Sequence, residues 1–325
     1  MAIGLRRFGA IRALSLIEVV PGWAPRMLRL ITFYIPRRRG LPESDGERLA
    51  MALAKMGPAY IKVGQTLATR PDLVGRPIAE GLATLQDRLP PFSFEQAKAT
   101  IEDELGQSMD MLFDSFEEKA VAAASIAQVH RATLKSGQKV AVKVLRPDIE
   151  DRFTRDLSLF EWLARTAENN SVEARRLRLN QVVLKVRETA LREMDLRLEA
   201  AAAELADNMS GEPGYRLPTI EWDMTARRVM MLEWVDGIRV ADRAALEKAG
   251  HDLEALGSTV IQVFLKQALR VGFFHADLHQ GNLIVEADGT IVAIDFGIMG
   301  RLTKMERRFL AEILFGFIRR DYERV

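Results

Sequence analysis

Three side chains near the end of this 325-residue chain have the types and spacing that metal-assisted phosphoryl chemistry demands. His275 to Gly297 reads HADLHQGNLIVEADGTIVAIDFG, with Asp277 five residues before Asn282 and Asp295 thirteen after it. A divalent cation that holds phosphate oxygens needs hard oxygen ligands, so carboxylate and amide oxygens must converge. One further carboxylate must face the nucleophile. Asn282 to Glu286 and Thr290 to Ile294 are β-branched runs on either side of Ala287-Asp288-Gly289. Asp-Gly between alternating apolar residues predicts a hairpin. Such a hairpin carries Asn282 and Asp295 to the same end of two paired strands.

The order Asp, Asn, Asp-Phe-Gly is that of a kinase-type active site, in which a lysine on an earlier strand holds the α- and β-phosphates. Val140-Ala-Val-Lys143 offers that lysine. Just before it, Val121-Ala-Ala-Ala-Ser125 stands where a kinase carries Gly-x-Gly-x-x-Gly. Glycine reaches positive φ freely, whereas alanine there costs roughly 1–2 kcal/mol. This loop is therefore expected to be stiffer and to grip phosphates differently, with the Ser125 hydroxyl in reach. A kinase also needs a helix glutamate against the lysine, and spacing alone offers Glu188, Glu193, Asp195 and Glu199. Asp195 and Glu199 share a helix face at i, i+4, with Glu193 nearly opposite. Position alone puts adenine against backbone groups near Glu233 and Val235.

The elements that must position these residues follow from pattern and punctuation. Residues 41–106 read as a helical subdomain. Pro58 suits a first helical turn, and Lys62 and Gln65 project from one face. Gly64 costs about 1 kcal/mol inside a helix and so implies close packing. Helices are predicted over Pro77–Arg88, and from Ser93, with Gln96 as capping-box partner, to near Gly106. Strands follow over Ile126–Leu134 and Lys139–Leu145, then helices over Asp148–Glu168 and Asn180–Asn208. Leu217–Trp222 and Arg228–Val235 read as strands, Asp252–Val271 as an apolar helix, and Lys304–Arg320 as a last helix capped by Thr303. The fold class is α+β: a two-lobed kinase-like fold with an added N-terminal helical subdomain. Its segments are a basic leader (1–40), the helical subdomain (41–106), an N-lobe (107–235) and a partial C-lobe (236–325) that stops early.

Composition sets outer limits. Apolar residues at 48% and charged residues at 28% fit a globular chain with a substantial core. The absence of cysteine excludes disulfides and thiolate metal sites. Net charge is +1, but the first forty residues hold eight arginines against Glu18 alone. No stacking aromatics or nucleic-acid motif accompany them, so no nucleic-acid partner is expected. Apolar runs such as Ala13–Trp23 are too short to span a bilayer. A membrane-surface or partner-docking segment, at about 1 kcal/mol per arginine near an anionic leaflet, is one reading; a solvated and partly flexible leader is the other.

Together, Lys62-x-Gly-Gln65, the alanine loop running into Ser125-Ile-Ala-Gln-Val-His130, Val-Lys143, Glu193-x-Asp195, His275-Ala-Asp-Leu-His-Gln-Gly-Asn282 and Asp295-Phe-Gly297 resemble the UbiB family, also called ABC1 or ADCK. These are atypical protein-kinase-like proteins associated with ubiquinone biosynthesis. The resemblance implies ATP or ADP and Mg²⁺ as cofactors. It implies nucleotide contacts from Ala122, Ala123, Ala124, Ser125, Ile126, Ala127, Gln128 and Val129. Lys143 would hold phosphates and pair with Glu199, Asp277 would be the catalytic-loop aspartate, and Asn282 and Asp295 would bind the metal. Lys62 and Gln65 would close over the cleft and meet Glu193 and Asp195. An occluded cleft implies ATP hydrolysis in support of ubiquinone biosynthesis. The alternatives are phosphorylation of a prenylphenol-like small molecule and a nucleotide-gated lipid-binding chaperone. Expected partners are a lipid membrane surface and ubiquinone-biosynthesis proteins or prenylphenol intermediates, with the chain at the cytoplasmic face of the inner membrane and any anchor in a missing C-terminal part. No flavin fingerprint, haem cysteine or iron triad supports a hydroxylase reading.

Overall fold

The computed structural model describes residues 1–17, 22–85, 89–211, 213–276 and 278–323. The chain divides into two compact units. The first comprises Met1–Ala97, Ala120–Val129 and Leu145–Met194; the second comprises Lys98–Lys119, His130–Val144 and Asp195–Val325. In chain order the helices are α1 (Ala2–Arg7), α2 (Ile11–Leu14), α3 (Trp23–Ile31), α4 (Asp45–Met56), α5 (Pro58–Ala68), α6 (Pro71–Val74), α7 (Arg76–Leu82), α8 (Phe94–Leu105), α9 (Met109–Leu112), α10 (Ile149–Asn170), α11 (Val172–Leu177), α12 (Leu179–Glu193), α13 (Leu196–Ser210), α14 (Arg243–Lys248), α15 (Leu253–Lys266) and α16 (Lys304–Arg319). The strands are β1 (Phe113–Phe116), β2 (Ala122–Ala123), β3 (Ala127–Leu134), β4 (Lys139–Leu145), β5 (Tyr215–Arg216), β6 (Val229–Glu233), β7 (Ile238–Arg239), β8 (Phe273–His275), β9 (Leu283–Val285), β10 (Ile291–Ala293) and β11 (Met299–Arg301).

The first unit is helical. Ser44 caps α4 by accepting from the Glu47 amide at 3.4 Å, which satisfies one of the amides that open a helix without a partner. Pro58 opens α5 as its spacing implied. Leu49, Leu53, Ile61, Ile78 and Leu82 form the core, and Leu5, Phe8 and Ile11 are buried in the same cluster. The basic leader is thus corrected in part. Its first residues fold as α1 and α2 and contribute to a core, because their apolar residues recur between the arginines. Gly64 has the reason its cost required: a Cβ there would lie 2.4 Å from Leu85 Cδ1 and 2.8 Å from Leu53 Cδ1. α5 also packs on α10 and α12, with the Tyr60 and Phe160 rings edge to face at 5.1 Å. The predicted helix over Pro77–Arg88 is α7, which ends at Leu82; residues 86–88 lie outside the described residues.

A single helix over Asn180–Asn208 is also corrected. α12 stops at Glu193, and α13 starts after Asp195, whose extended backbone and side chain cap it by accepting from the Arg197 amide. An aspartate that bonds its own downstream backbone competes with the helix ladder. The expected opposition of Glu193 to Asp195 and Glu199 across one helix therefore does not arise.

In the second unit a sheet runs β1-β3-β4-β6, a second runs β5-β10-β9-β7, and β11 pairs with β8. β4 and β6 are antiparallel with Lys143 opposite Met230. The predicted hairpin is present: Ile291 pairs with Val285 and Ala293 with Leu283. Its turn has Gly289 at φ +90°, and Asp288 accepts from the Thr290 amide at 2.8 Å. Leu217–Trp222 is not the strand expected. Pro218 offers no donor, and the segment makes a single bridge, Ile220 to Leu232, before a 3₁₀ turn. The core here gathers Leu217, Leu246, Val263, Leu283, Ile291 and Phe296.

Candidate active site

Lys143 is the centre of the second unit's polar core. It stands on β4, whose flanking residues Val142 and Val144 are fully buried, so its ammonium is fixed by a stiff β-branched strand. Lys143 Nζ lies 2.5 Å from Glu199 Oε1 and 3.6 Å from Asp295 Oδ1. Of the four acids that spacing offered, the structure selects Glu199, on the first turn of α13. Glu188 is instead an exposed partner of Lys185 and Arg192.

Asp295 is oriented through its neighbours. Its main-chain oxygen contacts His275 Nε2, and its Oδ1 accepts from the Gly297 amide at 3.1 Å. Phe296 is buried against the His275 ring, with centroids 5.7 Å apart, and its amide reaches Glu199 Oε1 at 3.5 Å. Asn282 is buried at the start of β9, and its carbonyl accepts from the Ile294 amide at 3.0 Å. The hairpin thus brings Asn282 and Asp295 to one end, as predicted. Asp277 lies outside the described residues.

The charges of this cluster are strongly coupled. Lys143 ammonium holds the Asp295 carboxyl down at about 2 against a burial cost that acts the other way. Burial alone would favour neutral Lys143, but Asp295 and Glu199 more than reverse this and raise it. Glu199 is raised, because burial and the nearby Asp295 charge exceed the pull of Lys143. Asp295 is accordingly the ionised ligand and Glu199 the more readily protonated one.

One carboxylate and one amide oxygen, Asp295 and Asn282, are the hard donors that Mg²⁺ takes alongside phosphate and water oxygens. The donor set fits that ion, and the Asp295 side chain is 47% exposed, open to a ligand. Among the described residues, no group of three or more His, Asp and Glu side chains converges as a metal site.

The alanine loop lies in the first unit. Ala122 and Ala123 pair with Val129 and Gln128 as a short antiparallel ladder. None of Ala122, Ala123 or Ala124 has positive φ, which agrees with the cost alanine would meet there. Ala124 O accepts from Arg146 Nη2 at 3.0 Å, and that nitrogen also donates to Pro90 O at 2.8 Å. Ser125 and Ala127 are buried, and Ile126 and Val129 half-buried. Gln128 is buried, and its side-chain oxygen accepts from the Phe92 amide at 2.9 Å. This brace from Arg146 and Gln128 onto Pro90–Phe92 escaped the sequence reading, which used Pro90-Pro91 only as a helix stop. A buried glutamine in a strand is its only local signal.

Lys62 meets Glu193 at 2.8 Å, both side chains being largely buried. Gln65 is half-buried on the same helix. Asp195 is held by Arg197, which lowers its pKa. Glu233 is tied to its neighbours through its amide and its side chain. Its amide donates to Thr219 O at 2.8 Å, and its carboxylate is bound by Arg216, which also holds Glu286. That leaves Glu233 as an anchor at the end of β6, two residues before buried Val235. Nothing local marks Arg216, since its partners are distant in sequence.

A strand lysine paired with a helix glutamate, beside an Asp-Phe-Gly aspartate at the end of a hairpin, defines the kinase-like class. Residues 84–325 match the model of the ABC1 atypical kinase-like domain, and the chain belongs to that family. It is 45% identical over 287 residues to a probable protein kinase UbiB of Marinobacter nauticus, covering 87% of this chain and 52% of that protein. It is 42% identical over 313 residues to a probable protein kinase UbiB of Azotobacter vinelandii, covering 94% and 58%. The chain thus spans little more than half the length of these relatives. A solved structure of Rv3197 from Mycobacterium tuberculosis, in complex with erythromycin, is similar with a TM-score of 0.56 at 29% identity, covering 77% of this chain and 63% of that one.

Proposed function

We propose that the chain binds ATP with Mg²⁺ and hydrolyses it in support of ubiquinone biosynthesis at a membrane surface. The observation that carries this reading is the Lys143–Glu199–Asp295 cluster, with Lys143 bonded to Glu199 and Asp295 kept ionised beside it. An ammonium has three donors; Glu199 takes one at 2.5 Å while Asp295 stands 3.6 Å away as an ion pair, and the remaining donors suit phosphate oxygens. Asp295 and Asn282 would hold the metal, which neutralises phosphate charge when bound. Asp277 is assigned by its motif to the attacking oxygen. The part played in ubiquinone biosynthesis rests on the family and on the names of its relatives.

The membrane surface is supported by the end of α3 and the residues after it. Leu30, Ile31, Phe33 and Tyr34 are exposed, next to Arg37, Arg38 and Arg39. Apolar side chains beside arginines suit an anionic interface. No helix among the described residues is long and apolar enough to cross a membrane.

The test is nucleotide binding and phosphate release by the purified chain without any added protein substrate. Both should require Mg²⁺; in Asp295→Asn phosphate release should be lost and binding weakened. Absence of Mg²⁺-dependent nucleotide binding by the wild-type chain overturns the reading.

A further inference from the structure

The side chains assigned to phosphate and metal stand on two sheets of the second unit. Lys143 is on β4, which pairs with β6 so that Lys143 lies opposite Met230 and Val140 opposite Glu233. Asn282 and Asp295 stand at the open end of the β9–β10 hairpin, and Glu286 stands at its turn end, its amide donating to Thr290 O at 2.9 Å. Among the described residues the two sheets share no strand, so the ladder bonds of one do not fix the other. One side chain spans them. Arg216 ends β5 and pairs with Val292 of β10. Its Nε and Nη2 donate to Glu286 Oε2 and Oε1 at 2.8 and 2.6 Å. Its Nη1 and Nη2 donate to Glu233 Oε2 and Oε1 at 2.9 and 2.8 Å. Two edges of the guanidinium are thus bidentate, the strong and directional form of a charge-assisted bond. A lysine ammonium is a point charge and could not match two planar carboxylates in this way. All of these residues belong to the second unit.

We propose that Arg216 is a positioning residue that sets the distance between the sheet carrying Lys143 and the hairpin carrying Asn282 and Asp295. The inference rests on the reading of those three residues as the nucleotide and metal site. Without Arg216, Glu233 and Glu286 face one another with no cation between them, and like charges push the end of β6 away from the turn end of the hairpin. Movement of the hairpin displaces Asn282 and Asp295 at its other end relative to Lys143. The two halves of the site tolerate that displacement unequally. Mg²⁺ demands near-ideal octahedral geometry, and a misplacement of about 1 Å can cost about 100-fold. Lys143 presents rotatable donors on a flexible stem and can follow a phosphate. Arg216 therefore acts on what the metal adds to nucleotide affinity and leaves the metal-free affinity in place.

The whole chain is titrated with adenylyl imidodiphosphate, which is not hydrolysed, in the presence and absence of Mg²⁺, and the ratio of the two affinities is read. In the wild type Mg²⁺ should tighten binding; a wild-type chain that gains nothing from Mg²⁺ overturns the reading of the site, and the inference with it. In Arg216→Ala the ratio should fall at least about tenfold, with metal-free affinity held within about threefold. A general loss of structure would instead lower both affinities together. Glu286→Ala cuts the same bridge from the hairpin side and should also lower the ratio. The double variant should be no worse than Arg216→Ala alone, because the uncompensated pair of carboxylates goes with it. Where the wild type does gain from Mg²⁺, an unchanged ratio in folded Arg216→Ala, or an equal loss with and without Mg²⁺, overturns the role of Arg216 and leaves the site standing. Should Arg216→Ala not fold, an unchanged ratio in Glu286→Ala overturns it as well.

Discussion

Lys143 is shared by two carboxylates whose environments push them apart. Removing one partner of a buried pair leaves a charge without compensation, at a cost of about 3–5 kcal/mol. Glu199 is raised toward protonation, which softens that cost, so Lys143→Ala should lower stability by about 2–4 kcal/mol at neutral pH and by less at pH 5. Denaturant unfolding at the two pH values checks this. Glu199→Gln keeps a hydrogen-bonding oxygen and should cost less than Glu199→Ala. The pH dependence has a definite sign. The folded pKa of Asp295, about 2, lies below its ordinary 3.8, so its contribution to stability is present above about 4 and is lost as pH falls through 3.8 toward 2. Glu199 runs the other way, because a raised carboxyl is favoured protonated and its contribution fades as pH rises through its folded value. The stability difference between wild type and Asp295→Asn should therefore shrink below pH 4 in an acid titration.

At the scale of elements, what the sequence revealed was local chemistry. The β9–β10 hairpin was legible because Asp288-Gly289 sets a turn and the flanking residues alternate, and the Ser93–Gln96 capping box closes as read, with both bonds at 3.3 Å. The break between α12 and α13 was not legible. The alanines after Glu199 favour helix strongly enough to hide a single capping aspartate. The choice of Glu199 was not legible from spacing either, since it depends on how the chain brings together residues 56 positions apart; only the family resemblance pointed to it. Arg216, and the bond between Gln128 and Phe92, were missed for the same reason. Gly64 supplies an element-scale test. Alanine gains about 1 kcal/mol of helix propensity but overpacks against Leu53 and Leu85, at about 1–3 kcal/mol. Gly64→Ala should thus be destabilised by at most about 2 kcal/mol. Gly64→Val, with a branched Cβ and poorer propensity, should lose clearly more in thermal melts.

Over the whole molecule, charge is unevenly spread: the first forty residues carry a net +7 and the rest −6. Association with anionic vesicles should fall as salt rises, since surface charges are screened beyond about 8–10 Å at physiological ionic strength. Replacing Arg37, Arg38 and Arg39 together by Gln should weaken it by roughly two orders of magnitude at about 1 kcal/mol per arginine, as read by vesicle sedimentation. Each unit has its own core, and the chemistry proposed for the second rests on one cluster within it. Calorimetric titration of the chain with ATP in the presence and absence of Mg²⁺, for wild type and Asp295→Asn, tests that cluster most directly. The account predicts saturable wild-type binding that needs Mg²⁺ and weakens by about 10- to 100-fold in the variant, the loss expected for one charged contact. Equal affinity in the two proteins, or binding indifferent to Mg²⁺, would contradict it.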